Sequence, residues 1–123
     1  MDGMETLMLI GRCIFGAFFL IAGIRNIARF NERRSGATNY GWLLPAPVMA
    51  AGFAVQLIGG LLLILGFWVV PAALALIVFL ALATALYHNL FLFQGQQRDP
   101  HVYFTLVNIT LAGGLLMVIA GAC

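Results

Sequence analysis

Six polar side chains stand out in an otherwise apolar chain: Arg12, Asn26, Gln56, Thr84, His88 and Asn108. No nucleophile–base–carboxylate set and no phosphate-binding glycine loop accompanies them. What amides, a hydroxyl and an imidazole do well is donate and accept hydrogen bonds without carrying charge. A quinone head group is a ligand of matching chemistry. His88 or Asn108 would donate to its carbonyl, and Trp42, Tyr87 and Phe91 would pack on its ring. The same groups serve as well to bond one another and fix helix register, at about 0.6 kcal/mol per bond in membranes. Both readings stand at this level. A haem held by His88 and His101 is weaker, because His101 falls at or outside the membrane boundary.

Arg12 has two readings of its own. It snorkels to the head groups, or it turns inward to hold a partner or an anionic ligand. The two cysteines, Cys13 and Cys123, form no Cys-x-x-Cys pair, so the sequence points to no metal or thioredoxin-like centre. Cys13 reads as a small packing residue. No Asp or Glu falls inside an apolar stretch, which argues against a carboxylate proton relay.

The elements that must position these residues follow from composition. Of 123 residues, 63% are hydrophobic and 8% charged, with no lysine, against about 25% charged in an average soluble domain. A soluble domain this small could not bury so much apolar surface, so the class is integral membrane protein. A helical span takes about 20 apolar residues, and four account for most of the chain as a single domain over 1–123. The net charge of +2 comes from arginines grouped at one face. Their neighbours are lipid head groups rather than nucleic acid.

Span one covers Thr6 to Ile27, with Arg12, Phe15, Phe19, Ala22 and Asn26 along one stripe. The loop from Ala28 to Leu44 is the only long one; it carries Arg29, Glu32, Arg33 and Arg34, then Tyr40 and Trp42 at head-group level. The arginine run reads as a topology signal and lipid anchor, and the loop's start reads as an interfacial helix carrying Phe30. Span two runs from Pro45 to Gly66. Gly52, Gln56, Gly59 and Gly66 share a stripe on it that must face protein, because a lipid-facing Gln56 would leave its amide unpaired in hydrocarbon. After a turn through Pro71, span three runs from Ala72 to Phe91 with Thr84 and His88 on one face. Span four runs from His101 to about Ala120 with Thr105, Asn108 and Ala112 aligned. The expected fold is an all-α, four-helix antiparallel transmembrane bundle with a longer loop between helices one and two.

Five of the six arginines flank one face, so the long loop is expected in the cytoplasm and both termini outside. Asn26, His88 and Asn108 then lie within about two turns of the cytoplasmic face and Gln56 deeper, at 1.5 Å of rise per residue. A weak echo, Leu57 to Leu62 against Leu111 to Leu116, hints at two related hairpins.

Together these residues resemble the DoxX family of small four-helix membrane proteins. The resemblance rests on Gly11-Arg12, Phe19-Leu20 and Gly23-Ile24-Arg25-Asn26 in span one, and on Leu44-Pro45-Ala46-Pro47. It continues through Gln56-x2-Gly-Gly-x5-Gly66, His88, and Asn108-x4-Gly-Gly-Leu-Leu. Gln56 stands where the family often carries glutamate, so no role needing an ionisable group transfers to it. Some relatives are named as the membrane subunit of a thiosulfate:quinone oxidoreductase. The resemblance implies a subunit or accessory of a quinone-linked redox complex in a bacterial inner membrane; the candidate ligand-facing set, read from the residues themselves, is Arg12, Asn26, Trp42, Gln56, Thr84, Tyr87, His88 and Asn108. The rival is a structural or assembly subunit whose polar groups only set packing. A transporter is disfavoured for a single bundle this small, and a homo-oligomer is left open.

Overall fold

The first helix starts where its sequence supplies a cap. The Asp2 carboxylate accepts a 2.8 Å bond from the Glu5 N–H, and helix α1 runs Gly3–Ala28. The computed structural model describes residues 2–38, 40–87 and 98–122. Four further helices follow: α2 (Phe30–Arg34), α3 (Ala46–Leu65), α4 (Val69–Tyr87) and α5 (Arg98–Ala122). No strand occurs among the described residues. All but α2 are long and apolar enough to cross a membrane. At 1.5 Å per residue α3 spans about 30 Å, the thickness of a hydrocarbon core. The 26 residues of α1 overshoot that length, so at least one of its ends reaches the head groups.

Prolines explain two boundaries that differ from expectation. Helix α4 starts at Val69 rather than Ala72, and α5 at Arg98 rather than His101. Pro71 and Pro100 each sit third in their helix, within the first turn, where a missing N–H costs no intrahelical bond. They belong to the helices instead of preceding them. His88, Phe91 and Cys123 lie outside the described residues, as do Gln94 to Gln97 of the third loop.

Helix α3 stops at Gly66, which adopts a left-handed conformation (φ 79°) and donates to the Leu62 carbonyl at 2.8 Å. Glycine takes that conformation without a Cβ penalty. Trp68 (φ 49°) follows, and α4 begins one residue later. So tight a link makes α3 and α4 neighbours.

Packing is closest between α1 and α3. A Cβ on Gly60 would lie 2.5 Å from the Leu20 backbone nitrogen and 2.6 Å from the Gly16 carbonyl oxygen. One on Gly23 would lie 2.9 Å from the Leu57 nitrogen. Backbone meets backbone here, as small residues permit in membranes. The other side of α3 receives α4: Gly59 faces the Leu76 side chain and Gly52 the Phe79 ring. The stripe expected to face protein therefore does so, but it is shared: Gly52 and Gly59 turn toward α4, whereas Gln56 and Gly66, like Gly60, meet α1.

The core consists of Phe19, Leu63, Ala72, Ala73, Leu76, Leu80 and Leu115, drawn from all four long helices. Helix α5 packs chiefly on α4 and touches α1 sparingly. It is the least buried of the long helices.

Candidate functional site

Polar groups meet in pairs, each across one helix interface. Arg33 Nε donates to Asn26 Oδ1 at 3.1 Å, and Asn26 Nδ2 donates to Gln56 Oε1 at 2.7 Å. An arginine can only donate, so it fixes the Asn26 amide: oxygen toward Arg33, nitrogen toward Gln56. Gln56, 6% exposed, must then present its oxygen. On the other side of the bundle, Asn108 Nδ2 donates to Thr84 Oγ1 at 2.9 Å, tying α5 to α4. Asn26 and Gln56 thus bind α1 to α3, and Thr84 and Asn108 bind α4 to α5.

Arg12 serves a helix end. The last carbonyls of an α-helix lack intrahelical donors. On α3, Leu62 is met by the Gly66 and Phe67 N–H groups, and Leu63 by Arg12 Nε at 2.8 Å. The Cys13 thiol points at the Ile64 carbonyl, 3.9 Å away. The guanidinium also places positive charge at the negative end of the α3 dipole. Of the two readings of Arg12, the inward one describes its Nε. Cys13 packs on the same helix end.

A cavity of about 570 Å³ opens at the α2 end of the bundle. Its walls are largely apolar: Val48, Met49, Gly52 and Phe53 of α3 face Phe79, Leu82, Ala83 and Leu86 of α4. Asn26, Glu32, Arg33 and Tyr87 supply polar groups. Helix α2 is positioned by Phe30, whose ring packs edge-on against Phe53 with centroids 6.1 Å apart. That contact sets Glu32 and Arg33 at the cavity. Tyr87 is the most informative wall residue. Its hydroxyl is buried and has no hydrogen-bond partner among the described residues. A buried hydroxyl without a partner costs about 1–3 kcal/mol.

A scan against protein-family models matches residues 7–89 to the DoxX family, two thirds of the chain. The chain belongs to the DoxX family. With four apolar helices of spanning length, this DoxX protein is a multi-pass membrane protein in contact with the lipid bilayer. No curated protein and no solved structure matches it significantly. The family match runs from α1 to just past α4. Asn108 and the Gly113-Gly114 pair of α5 lie beyond it.

Of the side chains singled out in this DoxX sequence, Asn26 and Tyr87 line the cavity. Gln56 stands behind Asn26, bonded to it. Thr84 and Asn108 bond each other and are not among the described lining residues. Trp42 was expected in the wall; it is 46% exposed and is not among those residues either. Arg12 lies toward the opposite end, beside the end of α3. His88 falls outside the described residues. The sequence alone assigns Arg33 to a lipid-anchoring arginine run and gives Glu32 no role, yet both border the cavity. The signal for them was Phe30, an apolar residue ahead of the charges, which folds α2 back onto α3.

Proposed function

We propose that the cavity binds a flat, apolar ligand with a hydrogen-bonding head, a quinone, and that the protein is a small subunit or accessory of a quinone-linked membrane redox complex. The observation that carries this reading is Tyr87, a residue that lines an apolar cavity and whose buried hydroxyl lacks a partner among the described residues. A carbonyl oxygen of the ligand would accept from it. Asn26 and Arg33 border the same space as further polar contacts, and Met49, Phe53 and Phe79 would pack on the ring. His88, one residue past Tyr87, is proposed as a second donor. When bound, a quinone would supply electron-acceptor chemistry; this chain's residues would hold and orient it.

Tyr87→Phe tests the reading because it removes one oxygen atom and keeps the ring. Quinone retained through purification should fall about tenfold, the worth of one good hydrogen bond to a buried group. Melting temperature should stay level or rise, since the hydroxyl that is removed meets no partner among the described residues. Undiminished quinone content in Tyr87→Phe would remove the support for this site.

The second reading, a structural or assembly subunit, is favoured by the way Asn26 and Gln56, and Thr84 and Asn108, satisfy each other. In either role the architecture proposed is an antiparallel four-helix bundle in a bacterial inner membrane, acting alone, beside redox subunits or as a homo-oligomer. Both termini are proposed on the non-cytoplasmic side, because Arg25, Arg29, Arg33, Arg34 and Arg98 flank the other face. A reporter that works only in the cytoplasm should be active when inserted near Ser35 and silent when fused after the last residue. Activity at the C-terminal fusion would reverse the orientation.

A further inference from the structure

A second cavity, of about 330 Å³, opens between α1 and α5 at the end of the molecule away from α2. Its walls are almost wholly apolar, with Met8 and Phe15 of α1, Val69 of α4, and Met117 and Val118 of α5. One charged residue lines it: Arg12. Arg12 spends Nε on the Leu63 carbonyl. Among the described residues its two Nη groups meet no hydrogen-bond acceptor and no carboxylate. A cation at the edge of hydrocarbon with two uncommitted Nη groups is matched by an anion.

The level of Arg12 in the membrane identifies the anion's source. Helix α3 has the length of a hydrocarbon core, and Arg12 is bonded within one turn of its end. Phe67 and Trp68, beside that end, are 64% and 77% exposed, as aromatic residues at the head-group boundary are. The guanidinium is therefore set at phosphate depth, while the apolar walls between α1 and α5 are open to the acyl region. We infer that this groove is a binding site for an anionic phospholipid, whose phosphate pairs with the Arg12 Nη groups and whose acyl chain lies along Phe15, Met117 and Val118. The site is distinct from the cavity at Tyr87 and stands whether or not that cavity binds a quinone. The bond to Leu63 makes the guanidinium a fixed receptor, because the bound Nε prevents the side chain from swinging into water.

Retention of lipid by the purified protein, read by native mass spectrometry from micelles containing phosphatidylglycerol or phosphatidylcholine with the same acyl chains, tests this. Phosphatidylglycerol should be retained preferentially, and Arg12→Gln should lower its retention about tenfold, the scale of one charge-assisted bond. Arg12→Gln also loses part of the α3 cap, so a second variant leaves Arg12 untouched. Met117 is 76% exposed, and Met117→Trp fills the groove without entering the core. It should lower phosphatidylglycerol retention while the lipid-free melting temperature stays unchanged. Inorganic phosphate should neither compete for the site nor raise the melting temperature. Equal retention of the two lipids, full retention by both variants, or displacement by inorganic phosphate would each overturn the assignment to an anionic lipid.

Discussion

Gly60→Leu is expected to prevent the bundle from forming, with a loss of stability larger than any other single substitution considered for this chain. Even the first added carbon has no room, since it would sit 2.5 Å from Leu20 nitrogen and 2.6 Å from Gly16 oxygen. Both are backbone atoms of α1, so no rotamer change relieves the clash and the helices must separate. Separation would also pull Asn26 from Gln56 and Arg12 from Leu63, because the same interface positions all four. Gly60→Ala should cost the upper part of the about 1–3 kcal/mol usual for overpacking, and Gly60→Leu more. Gly59→Leu should be intermediate: its Cβ meets only the Leu76 side chain, at 3.0 Å, though Leu76 is fully buried and has little freedom to yield. Gly113→Leu is the control, with nothing within 4 Å of its Cβ position and an exposed site, and should stay within about 0.5 kcal/mol of the parent. Melting in one detergent ranks the four. Equal melting of Gly60→Leu and Gly113→Leu would mean that α1 and α3 do not meet at this point.

How much of this was legible in the sequence depends on whether a property is set along a helix or around it. The four apolar stretches, the proline entry to α3 and its glycine exit are properties along the chain, and composition and spacing show them. The requirement that Gln56 face protein is equally local, since hydrocarbon offers no partner for an amide. Which helix it faces depends on rotation and crossing angle, which no single span encodes. Gly59 and Gly60 are adjacent in sequence but point about 100° apart on a helix, one to α4 and one to α1. Gly16 and Gly23, the α1 side of that contact, were hidden among large apolar residues that set the visible stripe.

The candidate site divides in the same way. Depth along each span places Asn26, His88 and Asn108 toward one end of the bundle and Gln56 deeper. It could not show that the polar groups would resolve into two bonded pairs rather than one cluster, since pairing depends on which faces touch. Arg12 was ambiguous because its partner is a backbone carbonyl, which exists at every residue and leaves no mark in the sequence. It is available at Leu63 only because α3 terminates at Gly66. Arg33 was missed for a related reason. A charged residue in a loop looks solvated until Phe30 docks on Phe53 and brings α2 against the bundle.

The Asn26–Gln56 pair gives the second large effect, and it separates the two functional readings. Asn26→Leu removes the donor to a buried Gln56 oxygen and the acceptor for Arg33 Nε. Arg33 is near the head groups and can turn toward water. Gln56 is 6% exposed and has no such escape. Leaving it unpaired should cost about 1–3 kcal/mol, above the about 0.6 kcal/mol average of interhelical bonds in membranes, because the lost partner is replaced by an apolar side chain. The double variant Asn26→Leu/Gln56→Leu should recover most of that loss, since apolar replacement of both partners removes the unmet requirement along with the bond. Unfolding free energies of the parent, both single variants and the double variant complete the cycle, and simple additivity would show that the two amides do not interact. Ligand retention then adds what stability cannot. Asn26 lines the cavity and Gln56 is not among its described lining residues. If the cavity holds a quinone, the double variant should regain stability and still lose retained quinone. If the pair only sets helix register, restoring stability should restore every other property of the protein with it.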